Sequence, residues 1–322
     1  MKFIPLTTIY KAKKEIQYTM DKKLFWKIIK NILKVVVTVA ALYWVFSKVS
    51  IQDLKDAVLN SNPIFLLLAF LAYAISILIS SSRLLSFLTS IGLNVSEKYN
   101  FKLYQLGLFY NLFLPGGVGG DGYKIYFLRK KFSIKGRKLL SALFFDRLSG
   151  LWALCLIIAA LVIFIPQLGI PNYLTIAGFV LGTILYYFLI SKFFTDFKSS
   201  FIKTHLKAIG VQSMQVVSAI MILYALGFDG KFSPYLFLFL ASSLVAIIPF
   251  SVGGLGMREM VYIWGANFFH LDPHLAVLIS LLFYIISALM ALTGSYYIFH
   301  PSALGTEKLP SVKEVEESQT ED

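Results

Sequence analysis

Charge is scarce in this chain. Only 15% of its 322 residues are Asp, Glu, Lys or Arg, against roughly 25% in a soluble domain. A single cysteine, Cys155, excludes any intramolecular disulfide, and its neighbours in "LWALCLIIAA" mark it as a small apolar packing residue. Four histidines with no close pair on one helical face argue against a metal centre. No G-x-x-x-x-G-K-[ST] run occurs, which excludes ATP-driven movement by this chain alone. No cofactor is expected. Acids are rarer than bases, 17 against 30, and six of them crowd the tail from Gly305 to Asp322 beside Lys308 and Lys313. The remainder is therefore strongly basic. In an apolar chain that excess marks cytoplasmic loops, and nucleic acid is not an expected partner.

What is abundant is apolar sequence, 57% of all residues. Six stretches approach the roughly 20 residues that cross a hydrocarbon core: 28–48, 63–90, 137–166, 172–193, 205–227 and 272–299. The first follows a Lys-rich segment and precedes "SKVSIQDL", which lacks a small-x-small cleavage site, so it reads as a retained span. Residues 1–30 hold eight Lys against Glu15 and Asp21 and belong in the cytoplasm. The connections 49–62, 166–172 and 228–233 have no basic excess and fall outside, while Lys192, Lys198, Lys203 and Lys207 bring the loop between spans four and five back inside.

One region does not fit this alternation. "FKLYQLGLFYNLFLP" is too short to cross, and Pro115 to Lys124 reads "PGGVGGDGYK". Basic residues flank it on both sides: Arg83, Lys98 and Lys102 before, then Lys124, Arg129, Lys130, Lys131, Lys135, Arg137 and Lys138. Both flanks are cytoplasmic, so the chain between them enters the membrane and turns back. Non-helical backbone at that depth must be buried in protein or line a wet cavity.

The stretch then recurs. "PFSVGGLGMR", Pro249 to Arg258, aligns without gaps: Pro115 with Pro249, Val118 with Val252, Gly119 with Gly253, Gly120 with Gly254, Gly122 with Gly256 and Lys124 with Arg258. The same offset carries spans one, two and three onto four, five and six. Three crossings per unit make the second unit inverted, and paired Gly/Pro-interrupted segments in inverted repeats point to a transport site. Gly117-Val-Gly119-Gly-Asp-Gly122 also matches G-x-G-x-x-G, but no strand precedes it and the second copy has Ser251 in the first Gly position, so dinucleotide binding is rejected.

Three motifs together, "NLFLPGGVGGDGYKIYFLRK", "LFFDRLSGLWAL" and "IIPFSVGGLGMREM", resemble the lysylphosphatidylglycerol synthase transmembrane-region family over residues ~28–300. That family includes the flippase-like part of the multiple peptide resistance factor. The resemblance implies transbilayer movement of a lipid with a polar or phosphorylated headgroup. By resemblance, Asn111, Pro115, Gly119, Gly120 and Asp121 match its first motif, Asp146 and Arg147 its Asp-Arg pair, and Pro249, Gly253, Gly254, Gly256, Arg258 and Glu259 its second. Two departures stand out. Lys124 replaces the usual Arg, keeping charge but losing the fork. An acidic tail stands where the resistance factor continues into its aminoacyl transferase, so synthesis of lysylphosphatidylglycerol is not expected.

The ionisable residues near the glycine turns carry the chemistry, because charges there are expensive and face a cavity or a partner. Arg258 is expected to grip a lipid phosphate, or to pin the hairpin through an ion pair. Glu259 would orient Arg258 or take up a proton. Asp121 and Lys124 are the matching charges of the first hairpin, with Asp121 also able to cap a helix beginning near Gly122. Asp146 and Arg147 form a mutual or cross-helix pair. Arg83 is expected to snorkel toward the cytoplasm, and Asn111 to satisfy carbonyls freed by Pro115.

The expected protein is thus an all-α polytopic membrane protein with six transmembrane helices and two re-entrant hairpins in two inverted repeats. A basic cytoplasmic segment (1–27) precedes the membrane domain (28–300, repeats 28–166 and 167–300), and a disordered acidic tail (301–322) follows. Both termini face the cytoplasm of a bacterial inner membrane. The expected function is flipping of an anionic or polyprenyl-phosphate-linked lipid, with a secondary transporter of a soluble anion as the alternative. The bilayer and its lipid substrate are the expected partners. No enzymatic nucleophile is evident, and oligomeric state is not legible.

Overall fold

The computed structural model describes residues 59–113, 119–247 and 256–306, with positions 43, 52, 55, 56 and 309 beside them. The first expected span, apart from Tyr43, lies outside the described residues, as do segment 1–27, nearly all the acidic tail, and Pro115, Pro249, Gly253 and Gly254. The described part is helical throughout: α1 (Pro63–Ser90), α2 (Glu97–Phe113), α3 (Gly119–Phe132), α4 (Gly136–Ile163), α5 (Asn172–Phe193), α6 (Phe201–Ala225), α7 (Phe232–Ile247), α8 (Met257–Phe269), α9 (Pro273–Leu292) and a last turn, α10 (Tyr296–Phe299).

Five of these are long and apolar enough to cross a membrane: α1, α4, α5, α6, and α9 continued through α10. Their positions match the last five spans read from the sequence. Local chemistry starts them cleanly. Asn62 accepts the Ile64 N–H ahead of Pro63, and Asp272 accepts the His274 N–H ahead of Pro273, each a side-chain cap with proline in the first turn, where a missing N–H costs nothing. By contrast α2, α3, α7 and α8 have 17, 14, 16 and 13 residues. At about 1.5 Å per residue, the 14-residue α3 reaches only ~21 Å, short of a ~30 Å core.

Helices α1 and α6 form the spine. Asn62 N–H donates to the Ala225 carbonyl at one end, Ser218 donates to the Ala69 carbonyl, Lys207 reaches Ser82 and Ser86, and Ser90 meets Ser200 at the other end. The pairing is antiparallel along the full length of both helices. Small residues make it possible: Ser76, Ser80 and Ser81 on α1 and Ala208, Ser218 and Ala219 on α6 are all buried, and small side chains let membrane helices approach closely.

The two short-helix pairs occupy opposite ends of this spine. The α7–α8 pair packs with Ala69, Tyr73 and Ile77 of α1 and with Ala219, Ile222 and Leu223 of α6. The α2–α3 pair packs with Leu84, Phe87 and Leu88 at the other end of α1, together with Leu139, Leu143 and Phe145 of α4. Helix α5 is peripheral; Leu174, Leu181, Ile184 and Phe188 are all exposed, as a lipid-facing span requires.

The last span is shaped by a backbone contact. A Cβ on Gly294 would sit 2.2 Å from the Gln105 carbonyl oxygen of α2. The α-helix gives way there to the 3₁₀ turn Thr293–Ser295, and Gln105 bridges Thr293 and Tyr297. The first hairpin is thereby tied to the end of the second half of the chain.

With Cys155→Ala as background, Ser90→Cys with Ser200→Cys should form an oxidation-dependent disulfide, because the two hydroxyls are 2.7 Å apart. Pairing Ser90→Cys with Thr183→Cys is the negative control. Mobility on non-reducing gels reads the result, and absence of the first cross-link would contradict the antiparallel spine.

Candidate functional site

The polar site is built around two adjacent residues of α4 that reach in different directions. Asp146 accepts from Arg83 of α1 on both oxygens, Nε to Oδ1 at 2.8 Å and Nη2 to Oδ2 at 3.3 Å. Arg147 donates through Nε to Asp121 of α3. Asp146 and Arg147 therefore pair across helices rather than with each other, the second of the two arrangements expected.

Arg83 departs from expectation. It does not snorkel: it is 6% exposed and bound in a bidentate ion pair. The physical reason is the small face it stands on. The preceding "SSS" run packs α1 against its neighbours, and Gly150 lets α4 come so near that an added Cβ would lie 3.2 Å from Arg83 Nη1. A route to solvent is closed, so the guanidinium takes a carboxylate instead.

Asp121 is the hub of the first hairpin. It stands in the first turn of α3 and receives Lys124 Nζ at 2.7 Å as well as Arg147. Lys124 is buried, and its ammonium lies 4.9 Å from the centre of the Tyr104 ring, a cation–π distance. The expected helix cap comes from elsewhere. Asn111 Oδ1 accepts the Gly120 N–H at 2.8 Å across the hairpin, which leaves the Asp121 carboxylate for cations. Asn111 thus satisfies a free N–H at the start of α3; Pro115 itself lies outside the described residues.

Glycine is required at this crossing. A Cβ on Gly120 would fall 1.9 Å from the Gly107 carbonyl oxygen, and one on Gly107 would meet Lys124 Cε at 2.9 Å. Gly119 opens α3 and Gly122 is buried in its first turn. The functional charge and the close approach are therefore one device: the missing side chains bring Lys124 under Tyr104.

In the second hairpin Gly256 stands before α8 with φ of 81°, a conformation glycine adopts without strain. Its N–H donates to Glu259 Oε2 at 2.7 Å, and Ser280 of α9 donates to Oε1 at 2.7 Å. Glu259 is fully buried, with both oxygens engaged in capping α8 and holding α9. It forms no ion pair with Arg258 among the described residues. Arg258 is 9% exposed, with its Cζ 5.5 Å from the centre of the Phe283 ring. Its Nε and Nη2 have no hydrogen-bond partner among the described residues.

Tyrosines join the two hairpins. Tyr104 lies under Lys124 and packs against the cluster that holds Tyr73, and Phe283 touches both Tyr73 and the Arg258 guanidinium. Tyr73 packs edge-on against Phe283 at 5.3 Å. Tyr262 is fully buried beside Arg258 and faces Ser242 without closing a well-formed hydrogen bond. Tyr73, Tyr104 and Ser280 are members of this site that residue patterns left unassigned, and Arg83 is one that they placed at the membrane surface. A serine run beside a cation was the available signal for Arg83; nothing marked the tyrosines among 18 in the chain. Among the described residues no group of three or more potential metal ligands occurs.

Gly120 crosses Gly107 at the start of α3, an Asp-Arg dipeptide stands on the spanning helix α4, and a Gly-x-Arg-Glu turn opens α8. The family described as "Lysylphosphatidylglycerol synthase TM region" matches residues 31–294. The chain belongs to this family. No curated protein matches it.

Because Arg83 and Asp146 are both buried, removing one partner strands a charge, at a cost of about 3–5 kcal/mol. Asp146→Ala should therefore lower thermal stability in detergent markedly. The double change Arg83→Met with Asp146→Leu should recover most of that loss. A double variant as unstable as Asp146→Ala would mean that the pair does more than hold α1 to α4.

Proposed function

We propose that this membrane protein is a lipid flippase rather than an enzyme. Its substrate would be an amphiphile with an anionic or polyprenyl-phosphate-linked headgroup, carried between leaflets. The observation that carries the reading is Arg258, a buried guanidinium with donors unmatched by any described residue. A charge in that position is costly unless an anion meets it.

The headgroup would travel along the line of polar groups from Asp121 and Lys124, past Tyr104 and Tyr73, to Arg258. Its tails would stay in the bilayer. We infer that the two halves are inverted repeats: α1 and α6, equated by the sequence offset, pair antiparallel, and the hairpins α2–α3 and α7–α8 lie at opposite ends of that pair. Each hairpin would then be re-entrant from its own side, and rocking of one half against the other would alternate access. Family membership supports a lipid context. The basic loops and the family resemblance support a bacterial inner membrane with cytoplasmic termini as the location.

A soluble-anion transporter would use the same cation, so the assay must separate the two. In proteoliposomes carrying trace acyl-labelled anionic phospholipid or polyprenyl phosphate, the wild type should accelerate movement of at least one lipid across the bilayer. Arg258→Ala with Lys124→Ala should abolish that movement while the protein remains folded. If neither lipid moves faster than in protein-free vesicles, the flippase reading fails.

A further inference from the structure

The two buried arginines of the site differ in a telling way. Arg83 presents the Nε–Nη2 edge of its guanidinium to Asp146, which accepts on both oxygens. On Arg258 it is the same edge, Nε and Nη2, that has no partner among the described residues. That edge is a fixed fork of two parallel N–H groups, matched by an anion with two coplanar oxygens. The protein itself supplies such an anion for one fork and not for the other.

The surroundings restrict the charge of the missing anion. Glu259 follows Arg258 directly and is buried as a carboxylate accepting two hydrogen bonds. Arg83 and Lys124 each already face a carboxylate. Tyr262 stands one turn on from Arg258 in α8, and Phe283 closes one face of the guanidinium with Tyr73 packed behind it. Across both hairpins the four cations Arg83, Lys124, Arg147 and Arg258 stand against the three acids Asp121, Asp146 and Glu259, so one negative charge on the fork balances the site. A second would be buried against Glu259 with no further unpaired cation beside it among the described residues.

We propose that the Arg258 fork selects a phosphodiester, with two free oxygens and a single negative charge, over a phosphomonoester, which carries ≈ −1.5 to −2 at neutral pH. This rests on the flippase reading and narrows it. Glycerophospholipids and polyprenyl phosphosugars fit; free polyprenyl monophosphates do not. The tyrosine hydroxyls, Tyr262 above all, stand as additional donors to the headgroup.

The test compares acyl-labelled phosphatidylglycerol, a phosphodiester, with equally labelled phosphatidate, a phosphomonoester, in the same proteoliposomes. Wild-type protein should move the first at least about tenfold faster, the worth of one charge-assisted hydrogen bond. Arg258→Lys keeps the charge and loses the fork. It should slow phosphatidylglycerol roughly ten- to hundredfold and erase the preference, with unchanged thermal unfolding as the control for folding. Equal wild-type rates for the two lipids would overturn the phosphodiester assignment and leave the flippase reading standing. That comparison needs no variant, so a poorly folded Arg258→Lys cannot rescue the proposal. Movement of neither lipid, nor of polyprenyl phosphate, removes the flippase reading itself. Radiolabelled dimethyl phosphate supplies the last arm: its uptake without lipid movement would assign the fork to a soluble ligand and overturn the lipid part.

Discussion

Burying charge in a membrane domain is the constraint on which this structure turns. Each ion removed from water costs several kcal/mol even after relaxation, so every buried cation must either find its carboxylate or have a reason to lack one. The Asp146–Arg147 dipeptide answers this twice. Adjacent residues on a helix point about 100° apart, so α4 can offer its acid to α1 and its base to α3 at the same level. One dipeptide thereby fixes the first hairpin to the spine without any contact between its own two side chains.

The second hairpin solves the same problem differently. Glu259 is stabilised by hydrogen bonds rather than by a cation, and the donors are the Gly256 N–H and the Ser280 hydroxyl. The positive end of the α8 dipole adds to this, since Glu259 lies in the first turn of that helix. A carboxylate held this way asks nothing of its neighbour in sequence. Arg258 is left with the fork that Arg83 has filled. The two halves are therefore alike in the glycines of their sequence and unlike in their electrostatics.

Much of the fold was legible because its signals are local. Span length and proline-capped starts such as Asn62-Pro63 and Asp272-Pro273 follow from residues within a few positions of one another, and five of the spans fell where hydropathy put them. The repeat was legible because glycines tolerate little replacement at a crossing as tight as Gly107–Gly120. The site was only half legible. That Asp121, Lys124, Asp146, Arg147, Arg258 and Glu259 would be buried or paired could be read from charge in apolar surroundings. Their partners could not. Arg83 and Asp146 are 63 residues apart, and whether an arginine two turns from a helix end snorkels or turns inward depends on what packs beside it. Asn111 was assigned to the backbone, but the N–H its oxygen accepts could not be read, because that target is created by the fold of α3.

The spine makes these separate features one mechanism. An antiparallel pair whose ends carry opposite hairpins can rock without either hairpin losing its own core, since Tyr73 and Ile77 belong to one cluster and Leu84 and Leu88 to the other along a single helix. Hydrogen bonds recur along the whole pair, from Asn62 to Ala225, Ser218 to Ala69, Lys207 to Ser82 and Ser86, and Ser90 to Ser200. The Arg83–Asp146 pair adds a charged clasp from α1 to α4. Tyr73 on α1 belongs to the cluster against which Tyr104 packs, and Phe283 links it to Arg258. On the proposed reading, a headgroup exchanging Tyr104 for Arg258 would pass from one core to the other along α1.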